Sequence, residues 1–252
     1  MRRLAVISSM TLLAFIICLP TSHAGGKWEI GPTFGVNFAT LDGDDVSDTM
    51  LFVTDQHGSL FRGRVGAFGR LCLTDNFAIQ MELVYVQKGG KWEEEEVFND
   101  STFKASHLVD LNFIEIPLLV RFSVPTQSRI SPFFFGGGSI GFNNASAWDL
   151  KLTGEIDGDE ATFLHRYFDH IENVRKTQFN LIIGGGVGLE LGKNQLEFAV
   201  SYSMGLNNAF EDYENIETIP EDKVAVAHYP SGEAAKLKTR HISVIGQFAF
   251  GL

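Results

Sequence analysis

The chain is poor in the features that usually staple or anchor a protein. It has two cysteines, Cys18 and Cys72. Cys18 lies in an N-terminal apolar run that reads as removed, so the mature chain keeps Cys72 alone and no intramolecular disulfide can form. A lone cysteine at a strand position reads as a small packing residue rather than a nucleophile. Beyond Leu19 no uninterrupted apolar run reaches the roughly 20 residues of a membrane-spanning helix, which excludes a helical membrane protein. Basic runs are also missing, and the formal net charge is −11, so a nucleic-acid partner is disfavoured. Proline is scarce, at 7 residues, and nothing in the composition suggests a coiled coil or a disordered chain.

What is present begins with an address. Met1, Arg2 and Arg3 precede the apolar stretch Leu4–Leu19, followed by Pro20 and the small-residue end Ser22-His23-Ala24. This layout is that of a secretory signal, with cleavage expected between Ala24 and Gly25. The alternative is an anchor helix, but the run is interrupted by Ser and Thr and is short for one. Acylation at Cys18 is rejected because Ile17 is too large for the position before a lipidated cysteine. The expected organisation is a signal peptide over 1–24 and a single domain over 25–252.

The chain is rich in Gly (26) and Phe (22), and much of the mature region alternates. In FAIQMELVYVQK, Phe77, Ile79, Met81, Leu83 and Tyr85 fall on one side of an extended strand. Ala78, Gln80, Glu82, Val84, Val86 and Lys88 fall on the other. Seven further stretches can be phased the same way: Lys27–Thr40, Leu60–Thr74, Leu108–Val124, Ile130–Phe142, Thr177–Gly192, Gln195–Asn207 and Thr239–Leu252. Each has a face of large apolar residues and a face of Gly, Ser, Asn, Ala and a few charges.

The connections alternate between long and short. Thr74-Asp75-Asn76, Pro125–Arg129 and Gly192-Lys193-Asn194 are tight turns. The segments 41–59, 89–107, 143–176 and 208–238 are long and polar, and they hold most of the 31 acidic residues. Short turns on one side and long loops on the other predict an all-β, eight-stranded antiparallel up-and-down transmembrane β-barrel, with short periplasmic turns and four long acidic extracellular loops. A soluble lipocalin-type barrel would need a charged exterior, and the small, weakly polar strand face is poor material for one.

GPTFGVNFATL, RVGAFGRLCLTDNFAIQMELVYVQKGG, NFIEIPLLVRF and PFFFGGGSIGF, with GGGVGLELGKNQLEFAVSYSMGLNN later in the chain, resemble in their order the outer-membrane β-barrel family named after PorT. The resemblance covers most of the mature chain outside the long loops. It implies an eight-strand barrel in the outer membrane of a Gram-negative, Bacteroidota-like bacterium and, through the namesake, a link to protein secretion. Phe250 is followed by Gly251 and Leu252, whereas such strands often finish on an aromatic residue.

By phase, Glu29, Arg62, Arg64, Arg70, Glu82, Glu115, Arg121, Glu190 and Glu197 point into the lumen. Charges in a narrow interior are costly unless paired, so this set reads as an ion-pair plug; a proton or ion path, or a narrow solute channel, is the alternative. Asp42, Asp44, Asp45 and Asp48, and separately Asp157, Asp159 and Glu160, offer oxygens to Ca²⁺. Neither cluster has full calcium-loop spacing, and both read as solvated acidic loop tips.

His165, Asp169 and His170 fall in a short helix expected over Ala161–Arg175, where Phe163, Tyr167, Ile171 and Val174 keep helical spacing. They allow a surface hydrolase or acyltransferase, but no serine or paired-carboxylate signature accompanies them. Trp28, Trp92 and Trp148, with Tyr85, fall near strand ends and suit interfacial girdles, the latter two tryptophans just beyond their strands. The expected protein is a small structural or interaction barrel without cofactor, metal or catalytic residues. Its expected partners are outer-membrane lipid and an envelope or secreted protein that meets the acidic loops.

Overall fold

The computed structural model describes residues 27–42, 56–98, 101–156, 159–168, 174–209 and 238–252. The elements are β1 (Lys27–Asp42), β2 (Gln56–Gly58), β3 (Leu60–Cys72), β4 (Phe77–Phe98), β5 (Ser101–Ser123), β6 (Ile130–Ile156), β7 (Asp159–Phe168), β8 (Thr177–Leu191), β9 (Asn194–Gly205) and β10 (Lys238–Gly251). Eight of them close a ring. Around it the order is β1, β3, β4, β5, β6, β8, β9 and β10, with β10 pairing back onto β1 and every pair antiparallel. Closure leaves the ring with no free edge, which a sheet in hydrocarbon requires. The expected signal segment, with Ala24 and Gly25, lies outside the described residues.

The alternation becomes an inside-out barrel. Phe34, Val65, Leu118, Phe134, Ile183 and Val200 point outward and are between 53% and 60% exposed. A continuous apolar coat of this kind is incompatible with water and suits a bilayer. The inward face carries Thr33, Asn37, Gln178, Ser201 and Ser243, all buried. That arrangement excludes the soluble barrel, whose apolar side would face in.

The narrow lumen is filled partly by aromatic rings. A Cβ on Gly184 would lie 2.4 Å from Phe135 Cζ, so glycine there makes room for the ring. Turns at one end are tight. Thr74 Oγ1 accepts from the backbone N–H of Phe77 (3.0 Å), and Gly192 turns at φ +72°, a conformation glycine adopts at little cost.

At the other end strands replace expected loops. Residues 89–98 and 101–107 of the segment read as loop continue β4 and β5, with Lys91 opposite Leu108 and Phe98 opposite Ser101. β6 likewise runs on to Ile156, and β7 folds back against it. Residues 161–168 of the expected helix are thus strand. Thr162, Phe163, Tyr167 and Phe168 suit a pleated surface, and β6 supplies a ladder, whereas so short a helix without a packed face is marginal. Trp92 and Trp148 accordingly lie within strands and not beyond them.

Candidate functional site

The lumen gathers the chain's buried charge. At the short-turn end, Glu29 (β1), Arg70 (β3), Arg121 (β5) and Glu197 (β9) converge from four strands. Arg70 donates Nη1 to Glu29 (2.9 Å) and to Glu197 (2.8 Å), and Nη2 to Glu197 (2.7 Å). Its Nε donates to Gln80 at 2.8 Å. Arg121 donates Nη1 to the same Glu197 carboxylate at 2.8 Å, and its guanidinium lies 3.5 Å from the Phe133 ring centroid. Glu197 therefore holds two guanidinium groups at once, and each of the four side chains is almost fully buried. Phe133, Phe135, Ala199 and Ile245 pack beside these groups as a small apolar cluster.

Further along the axis, Arg64 donates to Glu82 at 2.7 Å, and Glu82 also accepts from Gln80 (2.6 Å) and Gln247 (3.1 Å). Lys88 then pairs with Glu115 and donates to Gln178 (3.2 Å) and Asn180 (3.4 Å). The pairs cancel: Arg64, Arg70, Lys88 and Arg121 against Glu29, Glu82, Glu115 and Glu197. This balance is what buried charge demands, and of these groups Arg64 Nε alone finds no partner among the described residues. A cavity of about 10 Å³ among Gln80, Glu82, Arg121 and Gln247 has room for roughly one water.

Two residues expected in the lumen lie elsewhere. Glu190 is exposed at the end of β8, where the two-residue turn at Gly192 and Lys193 carries it out to the mouth of the barrel. Arg62 is half-buried at the far rim, paired with Asp110 (Nε to Oδ1, 2.7 Å). Lys88 joins the network although the sequence reading left it out. Its phase, on the same strand face as Glu82, was a usable signal.

Above Lys88 the lumen changes character. Leu41, Val109, Leu111, Phe113, Trp148 and Leu150 point inward and are buried together. Trp148 gets there through a register shift between β5 and β6, where Asn112 pairs with Ala145 and Phe113 with Asn143. The extra residue turns even-numbered positions of β6 inward beyond that point. Trp148 is thus a lumen residue and not part of a girdle, whereas Tyr85 and Tyr202 are outward and partly exposed.

His107 stacks on Trp148 at 5.7 Å with an interplanar angle of 15°. It lies on the external side of Ile114, beyond Asn112 and Asp110 of the outward face, and burial holds its imidazole down at about 4, so it is neutral at physiological pH.

Outside the ring, His165 Nε2 lies 2.8 Å from Asp149 Oδ1 on the β6–β7 hairpin, with both side chains solvent-accessible. Asp169 and His170 lie outside the described residues, as do Asp44, Asp45, Asp48 and Asp157. Asp42 ends β1, and Asp159 and Glu160 open β7.

Comparison with known proteins agrees with the geometry. The family described as outer membrane protein beta-barrel domain matches residues 20–211. Solved structures with a similar fold include Neisserial surface protein A (10% identity, 87% of this chain and 95% of that one, TM-score 0.34). The outer membrane protein OprG from Pseudomonas aeruginosa is another (11% identity, 92% and 98%, TM-score 0.38). A third is Ail, the attachment invasion locus protein of Yersinia pestis (9% identity, 88% and 98%, TM-score 0.34). No curated protein matches the chain.

Proposed function

The chain belongs to the outer membrane protein β-barrel domain family, resident in the outer membrane of Gram-negative bacteria, and we propose that it is a closed barrel of structural or interaction type. The observation that carries this reading is the filled lumen. Neutralising pairs and packed rings occupy the short-turn end, an apolar layer lies above them, and the cavity between Glu82 and Arg121 is about the size of one water. Eight strands enclose an interior that side chains can just fill, so no solute path is needed to explain the residues found there.

The strands that outrun the apolar coat give the protein its working surface. β4–β5 and β6–β7 project polar, charge-bearing ladders beyond the bilayer, and an envelope or secreted protein is the proposed partner. The resemblance to the family named after PorT supports a secretion-associated role in a Bacteroidota-like cell, after cleavage between Ala24 and Gly25. No catalytic residue is proposed. The exposed His165–Asp149 pair reads as a surface contact, because a catalytic dyad works in a site that excludes water.

The test is conductance of the full mature chain in planar bilayers, alongside photo-cross-linking in cells from position 151 of the β6–β7 hairpin. A silent barrel that cross-links to one envelope or secreted protein is the expected result. Regular unitary steps, abolished by Glu115→Ala, would replace this reading with that of a channel.

A further inference from the structure

We infer that the barrier along the lumen is the apolar layer at its external end, and that the ion pairs beneath it are not what stops ions. This inference rests on the closed-barrel reading and locates the closure. The charged layer is built of carboxylates, guanidinium groups and amides, and such surfaces wet readily. An entering ion there exchanges water for protein oxygens and nitrogens. An apolar constriction offers no such exchange and excludes ions by dewetting.

Trp148, Leu111, Phe113 and Leu150 form such a constriction, with Leu111 and Phe113 at 0% and 1% exposure. Val174 and Ala209 complete the layer, brought over it by the hydrogen bond from Arg175 N–H to the Ala209 carbonyl (2.9 Å). Phe113 joins the two layers, its ring centroid 5.3 Å from the Lys88 ammonium. The opposite mouth is polar: Lys27 is exposed there and pairs with Glu29 at 3.0 Å. The lumen is therefore polar at its short-turn mouth and capped by an apolar cluster at its external end.

The experiment compares unitary conductance of full-length variants in planar bilayers, each first checked for the closed barrel by its band shift on boiling. Trp148→Ala opens the layer by volume. Leu111→Asn wets it at nearly constant volume, and so remains informative if Trp148→Ala fails to fold. The charge-layer variant is the double change Arg64→Gln with Glu82→Gln, which keeps neutrality.

The expected result is a silent wild type, a silent double variant, and unitary steps in a folded cap variant. Silent cap variants would overturn the inference while leaving the closed barrel standing, as would steps in the double variant. Steps in the wild type would overturn both.

Discussion

Carboxylates meet basic side chains in two regions of this molecule, and their surroundings differ in almost every respect. Within the lumen, Glu197 and Arg70 have side chains 1% and 2% exposed and are tied to Arg121, Glu29 and Gln80. On the β6–β7 hairpin, His165 and Asp149 have side chains 61% and 37% exposed and meet each other at one contact among the described residues. The distances are nearly the same, 2.7 Å and 2.8 Å, so distance does not separate them. What separates them is the alternative each charge has when its partner is removed. A surface charge returns to water. A lumen charge has nowhere to go, and the cost of stranding it falls on the fold.

Breaking the lumen pair should have the largest effect. Glu197→Ala leaves two buried guanidinium groups without their shared acceptor, and the loss expected is about 3–5 kcal/mol. Urea unfolding in detergent micelles, followed by the boiling-dependent band shift, measures it. Lys88 and Glu115 sharpen the point. Removing either alone strands the other, while Lys88→Met with Glu115→Leu removes both charges and should cost clearly less than the sum of the single changes. A double variant as damaging as that sum would mean the pair contributes through packing and not through mutual neutralisation.

The external end of the lumen gives the next largest effect, through protonation. The folded His107 titrates at about 4, against about 6.5 when unfolded. Above pH 6.5 both states are neutral and the group is silent. Between 6.5 and 4 the unfolded chain binds a proton that the folded chain refuses, so stability falls as pH falls, by on the order of 3 kcal/mol. Below 4 the contribution levels off. His107→Phe keeps a ring against Trp148 and should flatten this window in unfolding curves taken across it. An unchanged slope would place the acid sensitivity elsewhere.

How much of this was legible follows the bilayer. Inside it, one face must be apolar and the other small or polar, so period-two alternation marks each ring strand and phases Glu29, Arg70, Glu82, Glu115, Arg121 and Glu197 inward. Beyond the bilayer the outward face meets water. The signal disappears, and Gly89-Gly90 followed by Glu93–Glu96 reads as loop although the ladder continues to Phe98 and Ser101. The apolar layer was hidden for a second reason. Phe113 was phased inward correctly, but Trp148 lies past the shift at Asn143–Ala145, and a single extra residue reverses every face after it. The hairpin β7 was missed because Phe163, Tyr167, Ile171 and Val174 also fit a helical spacing, and periodicity alone does not choose between ladders and turns in so short a segment.

The smallest effect belongs to the exposed pair. Asp149→Asn removes one charge of a solvent-accessible contact, and the expected loss is about 0.2–1 kcal/mol, shrinking further as salt is raised. The same urea assay, run at low and high ionic strength, compares it with Glu197→Ala under identical conditions. Glu197→Ala should keep nearly its whole effect in high salt, because a pair this deeply buried is screened far less than an exposed one. If Asp149→Asn instead cost several kcal/mol and ignored salt, the β6–β7 hairpin would have to be part of the cooperative fold and not a projection from it. The contrast between the two regions would then lie in depth along the barrel rather than in access to water.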